Sequence, residues 1–269
     1  MRLSISNIGW TEENDLSIYA LMKSTGFEGI EIAPTRIFPD KPYERLDEAL
    51  EWKRSLTNDT GFVVPSMQSI WYGRDEKIFG SEEERNKLID YTKKAIDFAS
   101  VIGCGNLVFG CPRNRNIIEE YKPDIAINFF KKIGDYAADK GTIIGMEANP
   151  PIYNTNFINN TLSALEFIEQ VNSKGFRLNF DLGTVIYNDE DIEEIIGKVN
   201  LINHVHISEP GLKMIERRDI HKELRGILIN ENYNGFVSIE VGKSDDVNAI
   251  KDVMMYVKEI FSCLRFLCF

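Results

Sequence analysis

Eight short β-branched or apolar runs, each followed by a longer charged and amphipathic stretch, recur along the chain. They are "LSISNI" (3–8), "GIEIA" (29–33), "FVVPSMQ" (62–68), "NLVFG" (106–110), "TIIGMEA" (142–148), "RLNFD" (177–181), "INHVHIS" (202–208) and "FVSIEV" (236–241). Runs of this length and composition read as strands, and the stretches between them as helices. Such alternation builds βαβ units and therefore a parallel sheet. The helix signals agree. "TEENDLSIYALMKSTG" opens on Thr11, a candidate N-cap followed by acids, and "SEEERNKLIDYTKKAIDFASVIG" opens on Ser81 with Glu84 at capping-box spacing. Gly26, Gly61, Gly103, Gly141 and Gly175 stand where helices are expected to end, ready to enter the left-handed region.

Eight such units, with no Pro/Gly/Ser-rich linker and no composition shift, point to an α/β chain forming one domain over 1–269. The expected architecture is a single closed (β/α)8 barrel of the TIM class, which occupies ~250 residues. A dinucleotide-binding sheet is disfavoured, because "SNIGWTEEN" after the first run holds one glycine. A net charge of −11 argues against a nucleic-acid partner. No apolar run approaches the ~20 residues needed to cross a bilayer. "MRLSISNIGW" lacks a leader's apolar core, so no membrane association and a cytoplasmic location are expected. Cys104, Cys111, Cys263 and Cys268 lack metal-type spacing and are expected to be thiols. The apolar tail "IFSCLRFLCF" reads as a last helical turn packed on the body, or as a subunit contact that leaves a homo-oligomer open.

In barrels of this kind chemistry gathers at the C-terminal strand ends. The fifth to eighth runs close on Glu147, Asp181, His206 and Glu240, separated by 34, 25 and 34 residues, about one strand–helix repeat each. Three carboxylates brought to one rim would repel and their pKa values would climb. One divalent cation, with the imidazole as fourth ligand, relieves that repulsion. The oxygen-rich set favours Mn²⁺, Mg²⁺ or Co²⁺ and admits Zn²⁺, while the lack of thiolates argues against a structural zinc. His204, two residues before His206 on the same strand face, reads as a core histidine or as support behind the metal.

These four residues, together with "ISNIGW", "GFEGIEIAPTRIF", "PSMQSIWYG", "CPRNR", "DLGT", "HISEP" and "YNGFVSIEVG", resemble the xylose-isomerase-like sugar phosphate isomerase/epimerase superfamily over essentially the whole chain. The resemblance implies a divalent metal held by Glu147, Asp181, His206 and Glu240. It also implies a small carbohydrate substrate, a sugar or sugar phosphate, isomerised or epimerised by proton transfer through a metal-stabilised enediolate. Glu147 and Glu240 would be both ligands and the catalytic acid/base pair. Two positions depart from the ketose 3-epimerase pattern. Thr184 stands where a histidine is usual three residues after Asp181, and Leu212, with Lys213 alongside, where an arginine is usual six residues after His206. The alternatives are an inosose-type dehydratase, a DNA-repair endonuclease and a non-catalytic sugar-binding barrel. The endonuclease would need extra histidines near Gln68, Gly110 and Thr184, and only Asp219 and His221 suggest it.

Further rim residues are expected to touch substrate. Trp10 could wall the pocket or pack under a lid, and Glu31 could bond a sugar hydroxyl or pair with Arg36. Gln68 suits hydroxyl recognition. Arg113 could hold an anion, whereas Arg115 reads equally as a solvated loop residue. Asn149 could support Glu147 or touch substrate, and Lys213 is the basic group near the missing arginine. His221 could face substrate or cap a helix, and Glu209 could order its loop.

Overall fold

The computed structural model describes residues 1–118 and 120–262. Its parallel sheet comprises β1 (Arg2–Ser6), β2 (Gly29–Glu31), β3 (Leu107–Phe109), β4 (Ile144–Met146), β5 (Phe176–Asp181), β6 (Ile202–Ile207) and β7 (Phe236–Ile239). The strand order is β2-β1-β7-β6-β5-β4-β3, and β1 lies between β2 and β7. These strands cover seven of the eight expected runs.

The remaining run, 62–68, forms no continuous strand but closes the barrel. Val63 bridges Gly29, and Met67 bridges both Ile32 and Leu107. Met67 N–H donates to the Asn106 carbonyl, and Val108 N–H to that of Met67. Pro65, mid-run, has no N–H and cannot extend the ladder. It packs instead against Gly29, where a Cβ would come within 2.9 Å of the proline ring. The eight-stranded barrel is therefore present, with one wall held by isolated bridges.

Around it lie α1 (Asp15–Thr25), α2 (Pro34–Ile37), α3 (Leu46–Thr60), α4 (Glu82–Ile102), α5 (Pro123–Asp139), α6 (Thr161–Val171), α7 (Leu182–Asn188), α8 (Ile220–Asn230) and α9 (Val247–Phe261). The Ser81–Glu84 capping box forms on α4. Thr11 caps only a short 3-10 turn, and α1 begins at Asp15 after Asn14. Gly26, Gly61, Gly103 and Gly141 take positive φ near helix ends as expected. Gly175 does not. Asn172 terminates α6 in the left-handed conformation. Gly175 instead passes so close to α5 that a Cβ there would lie 2.0 Å from the Gly134 carbonyl.

Phe109, Phe130, Phe167 and Phe176 stack edge-to-face or tilted between the strands and α5 and α6. This apolar layer outside the strands leaves the barrel interior to polar groups: Ser4, Ser6, Glu31, Asn106, Asn179, His204, His206 and Ser238 are all buried. No described helix is long and apolar enough to cross a membrane. Cys104 and Cys111 are free thiols. Ile260 and Phe261 end α9 as buried residues. The rest of the apolar tail beyond Ser262, with Cys263 and Cys268, lies outside the described residues.

Candidate functional site

The strand register brings the four strand-end groups together. Asp181 of β5 pairs with His206 of β6, and Asn179 with His204. Glu147 follows β4 and Glu240 follows β7 directly. One potential ligand atom from each of Glu147, Asp181, His206 and Glu240 lies within 4.8 Å of the other three. His206 Nδ1 is 3.1 Å from Glu147 Oε1 and 3.3 Å from Glu240 Oε2. Asp181 is oriented by its own loop: its Oδ1 accepts from Thr184 N–H at 2.7 Å as the N-cap of α7, and its Oδ2 from Ser208 Oγ at 2.6 Å.

Glu147, Asp181 and Glu240 line the floor of a cleft of about 270 Å³, with His206 buried among them. Its walls come from the loops after run 62–68, β3 and β4, which are the longest in the sequence. They contribute Gln68, Trp71 and Tyr72, then Gly110, Cys111 and Asn114, and Asn149 with Tyr153. Across the mouth, Tyr153 OH accepts from Gly211 N–H at 3.0 Å, which ties the β4 loop to the β6 loop.

The electrostatics are those of three buried carboxyl groups crowded around one imidazole. Burial, reinforced by Glu147 and Glu240, pushes Asp181 up to about 7. Burial, with Glu147 and Glu31, also raises Glu240 against the opposing pull of His206. Burial opposes charge on the His206 ring, yet Glu31, Glu240 and Glu147 hold its pKa well above the usual range. One divalent cation among these four donors would remove the repulsion, and hard oxygen ligands with one imidazole suit it. The donor set therefore fits the cation that the sequence implied.

The other expected site residues divide. Gln68 lines the cleft, its Nε2 donating to Ser6 Oγ at 2.8 Å and Glu31 Oε1 at 3.0 Å. Asn149 also lines it, and donates to Glu147 Oε2 at 3.1 Å. Its buried Oδ1 has no protein partner. Glu31 neither faces the cleft nor pairs with Arg36. It is fully buried behind His206, whose Nε2 lies 2.9 Å from Glu31 Oε2. Burial works against its charge, but His206 and His204 hold the carboxyl well below the usual range. Arg36 pairs with Asp15 instead.

Trp10 walls nothing. It is 1% exposed and donates to Asp15 Oδ1 at 2.7 Å, beneath the α1 entry. The two arginines exchange the places expected of them. Arg113 is exposed and outside the cleft, whereas Arg115 is buried and donates to the backbone oxygens of Glu147 at 2.8 Å and Ile158 at 3.2 Å. Lys213 is exposed beyond the rim, while Leu212 lines the cleft. His221 is buried under α9 with Nδ1 2.8 Å from Tyr256 OH, and burial lowers its pKa to about 4. Its neighbour Asp219 is exposed and pairs with Lys222, so the two do not converge on a metal position. Glu209 is buried in a two-pronged pair with Arg218 that orders the β6 loop.

Asn179 and Tyr153 escaped the sequence reading, and Arg115 took a role that it did not foresee. Asn179 donates to Glu147 Oε1 at 2.9 Å, and its place two residues before Asp181 on one strand face was the available signal. Arg115 and Tyr153 sit on loops whose path no periodicity reveals. His204 Nε2 lies 3.3 Å from Glu31 Oε2, one layer beneath the ligands, as support behind His206 requires.

Comparisons with known proteins accord with this geometry. Among solved structures the fold is similar to 3-keto-D-glucoside 4-epimerase from E. coli in its apo form, at 20% identity and TM-score 0.75, over 96% of this chain and 99% of that one. It is similar to D-psicose 3-epimerase with D-tagatose from Clostridium cellulolyticum H10 at 13% identity and TM-score 0.78, over 98% and 100% of the two chains. D-allulose 3-epimerase from Methylomonas sp. in complex with D-allulose gives 17% identity and TM-score 0.72, over 96% and 95%. At these identities the likeness is one of fold. No curated protein matches the sequence. Residues 19–260 match the family model described as xylose isomerase-like TIM barrel, and the chain belongs to that family.

Proposed function

We propose that the protein is a divalent-metal-dependent isomerase or epimerase acting on a small, unphosphorylated carbohydrate. The observation that carries this reading is the set of four strand-end ligand atoms within 4.8 Å of one another on the floor of a monosaccharide-sized cleft. Solved structures of the same fold are named as sugar epimerases, which supports it. A cation held by Glu147, Asp181, His206 and Glu240 would supply Lewis-acid polarisation of a sugar carbonyl. Mn²⁺, Mg²⁺ or Co²⁺ suits three carboxylates and an imidazole better than Zn²⁺ does.

The protein's own groups supply the proton transfer. Glu147 and Glu240 reach the cleft from opposite sides of His206 and can serve as acid and base on the carbon beside the carbonyl. Burial and neighbouring anions raise the pKa of Glu240, which suits it to accept a proton. Glu147 is held in one orientation by Asn149 on one oxygen and Asn179 on the other. The unpartnered Asn149 Oδ1 is placed to accept from a sugar hydroxyl.

The cleft also argues against a phosphate. Among its described lining residues the formally charged groups are Glu147, Asp181 and Glu240, and no lysine or arginine is present. Such cations are the usual side-chain partners of a phosphate, and the N-terminus of α7 at this cleft is already occupied by the Asp181 carboxylate. Leu212 in place of an arginine fits an uncharged substrate held in a different pose. A panel of free ketoses and aldoses incubated in deuterium oxide with Mn²⁺ tests the reading. Solvent deuterium is expected to enter the product at the carbon that changes. Turnover without deuterium uptake, or loss of a water's mass from the substrate, would overturn it.

A further inference from the structure

We propose that Glu31 is a positioning residue that sets, at once, the working nitrogen of His206 and the working face of Gln68. The inference deepens the function proposed above and rests on it. Glu31, the last residue of β2, is fully buried and does not line the cleft. An ionised carboxylate in a barrel interior is costly unless its oxygens are fully engaged. Both oxygens are. Oε2 faces His206 Nε2 at 2.9 Å, and Oε1 faces Gln68 Nε2 at 3.0 Å.

A carboxylate only accepts hydrogen bonds, so both facing atoms must donate. His206 therefore carries its proton on Nε2. Nδ1, the nitrogen turned toward Glu147 and Glu240, is then the one that can give its lone pair to a cation, while Nε2 keeps its proton. The same logic fixes the amide of Gln68. Its Nε2 donates to Glu31 and to Ser6 Oγ, which uses both of its N–H groups. Gln68 then presents its oxygen to the cleft. It can accept from a sugar hydroxyl but cannot donate to one. One buried anion, out of reach of substrate, thus orients a metal ligand on β6 and a recognition group on run 62–68.

The test titrates metal-stripped protein with Mn²⁺ by calorimetry, and reads the ring ¹⁵N signals of the chain's three histidines in Mg²⁺-loaded protein. Glu31→Leu is expected to weaken Mn²⁺ binding ~10–100-fold, the usual effect of losing a carboxylate behind a ligating histidine. It should also abolish the fixed Nε2–H pattern of His206. Glu31→Gln can still accept from Nε2–H and should retain most of the affinity. Its amide would, however, turn Gln68 around and raise KM more than it lowers kcat for whichever sugar exchanges deuterium. Unchanged affinity and ring signals in Glu31→Leu would overturn the assignment. So would a Glu31→Gln protein as weak in Mn²⁺ binding as Glu31→Leu. If Glu31→Leu fails to fold, an unchanged KM in Glu31→Gln overturns it. Wild-type protein that takes up no divalent ion would overturn the proposed function and this assignment together, whereas equal uptake by wild type and Glu31→Leu would overturn this assignment alone.

Discussion

Asp181 combines a firm backbone anchor with an unfavourable charge environment. Burial and the Glu147 and Glu240 carboxylates lift it to about 7, while Thr184 N–H and Ser208 Oγ hold it in place for a ligand that must be ionised. A carboxyl with a raised pKa is protonated below that value, so a cation must displace its proton there. Apparent Mn²⁺ affinity is therefore expected to fall as pH drops through 7, with Asp181 alone contributing up to about tenfold per pH unit. Calorimetric titration between pH 5.5 and 8.5, roughly bracketing the shifted value, checks this. The meeting of Glu147, Asp181, His206 and Glu240 was legible in the sequence because position at a strand end dictates both height and direction. Trp10, Arg113, Lys213 and His221 were not, since each hangs on a loop or helix start whose path is set by tertiary contacts. Glu31 is the instructive case. Its strand was placed correctly, but only its neighbours in space reveal that it points behind His206 and not at the substrate.

Elements were more legible than side chains. Strand positions followed from β-branched runs bounded by helix stops, and the Ser81 capping box formed as its spacing required. The reading failed where one residue serves two neighbours. Gly175 looked like a helix stop, but the close approach of α5 excludes any side chain there. Gly175→Ala would drive a Cβ into the Gly134 carbonyl and the Ala138 amide, backbone atoms that cannot swing aside. It is expected to cost at least ~2–3 kcal/mol, as overpacking does. Gly26→Ala meets open space at φ +80°, and its cost is the left-handed backbone alone, about 1 kcal/mol. Urea unfolding of the two variants should rank them in that order. Run 62–68 failed differently: its composition is that of a strand, and Pro65 alone removes the N–H that would have made it one.

For the molecule as a whole, the carboxylates gathered at this cluster weaken the fold unless a cation neutralises them. Because the folded pKa of Asp181 lies above its unfolded value, the stability it contributes in acid is lost as pH rises toward 7. A bound cation should restore that loss. Stripping metal with a chelator is therefore expected to lower Tm, and to lower it further at pH 8 than at pH 6. A ligand at a hundred times its Kd contributes about 2.7 kcal/mol. Scanning calorimetry with and without chelator at the two pH values measures the difference.

The seat of β1 between β2 and β7 has a consequence for how the chain is made. Arg2–Ser6 is synthesised long before Phe236–Ile239, yet one of its edges is satisfied only by that strand. At ~5–20 residues per second, β1 waits roughly 10–50 s for that partner. Glu240 emerges directly behind β7. The nascent chain therefore cannot complete either its barrel or the cluster of Glu147, Asp181, His206 and Glu240 until β7 and Glu240 have emerged, and the two should appear in the same step.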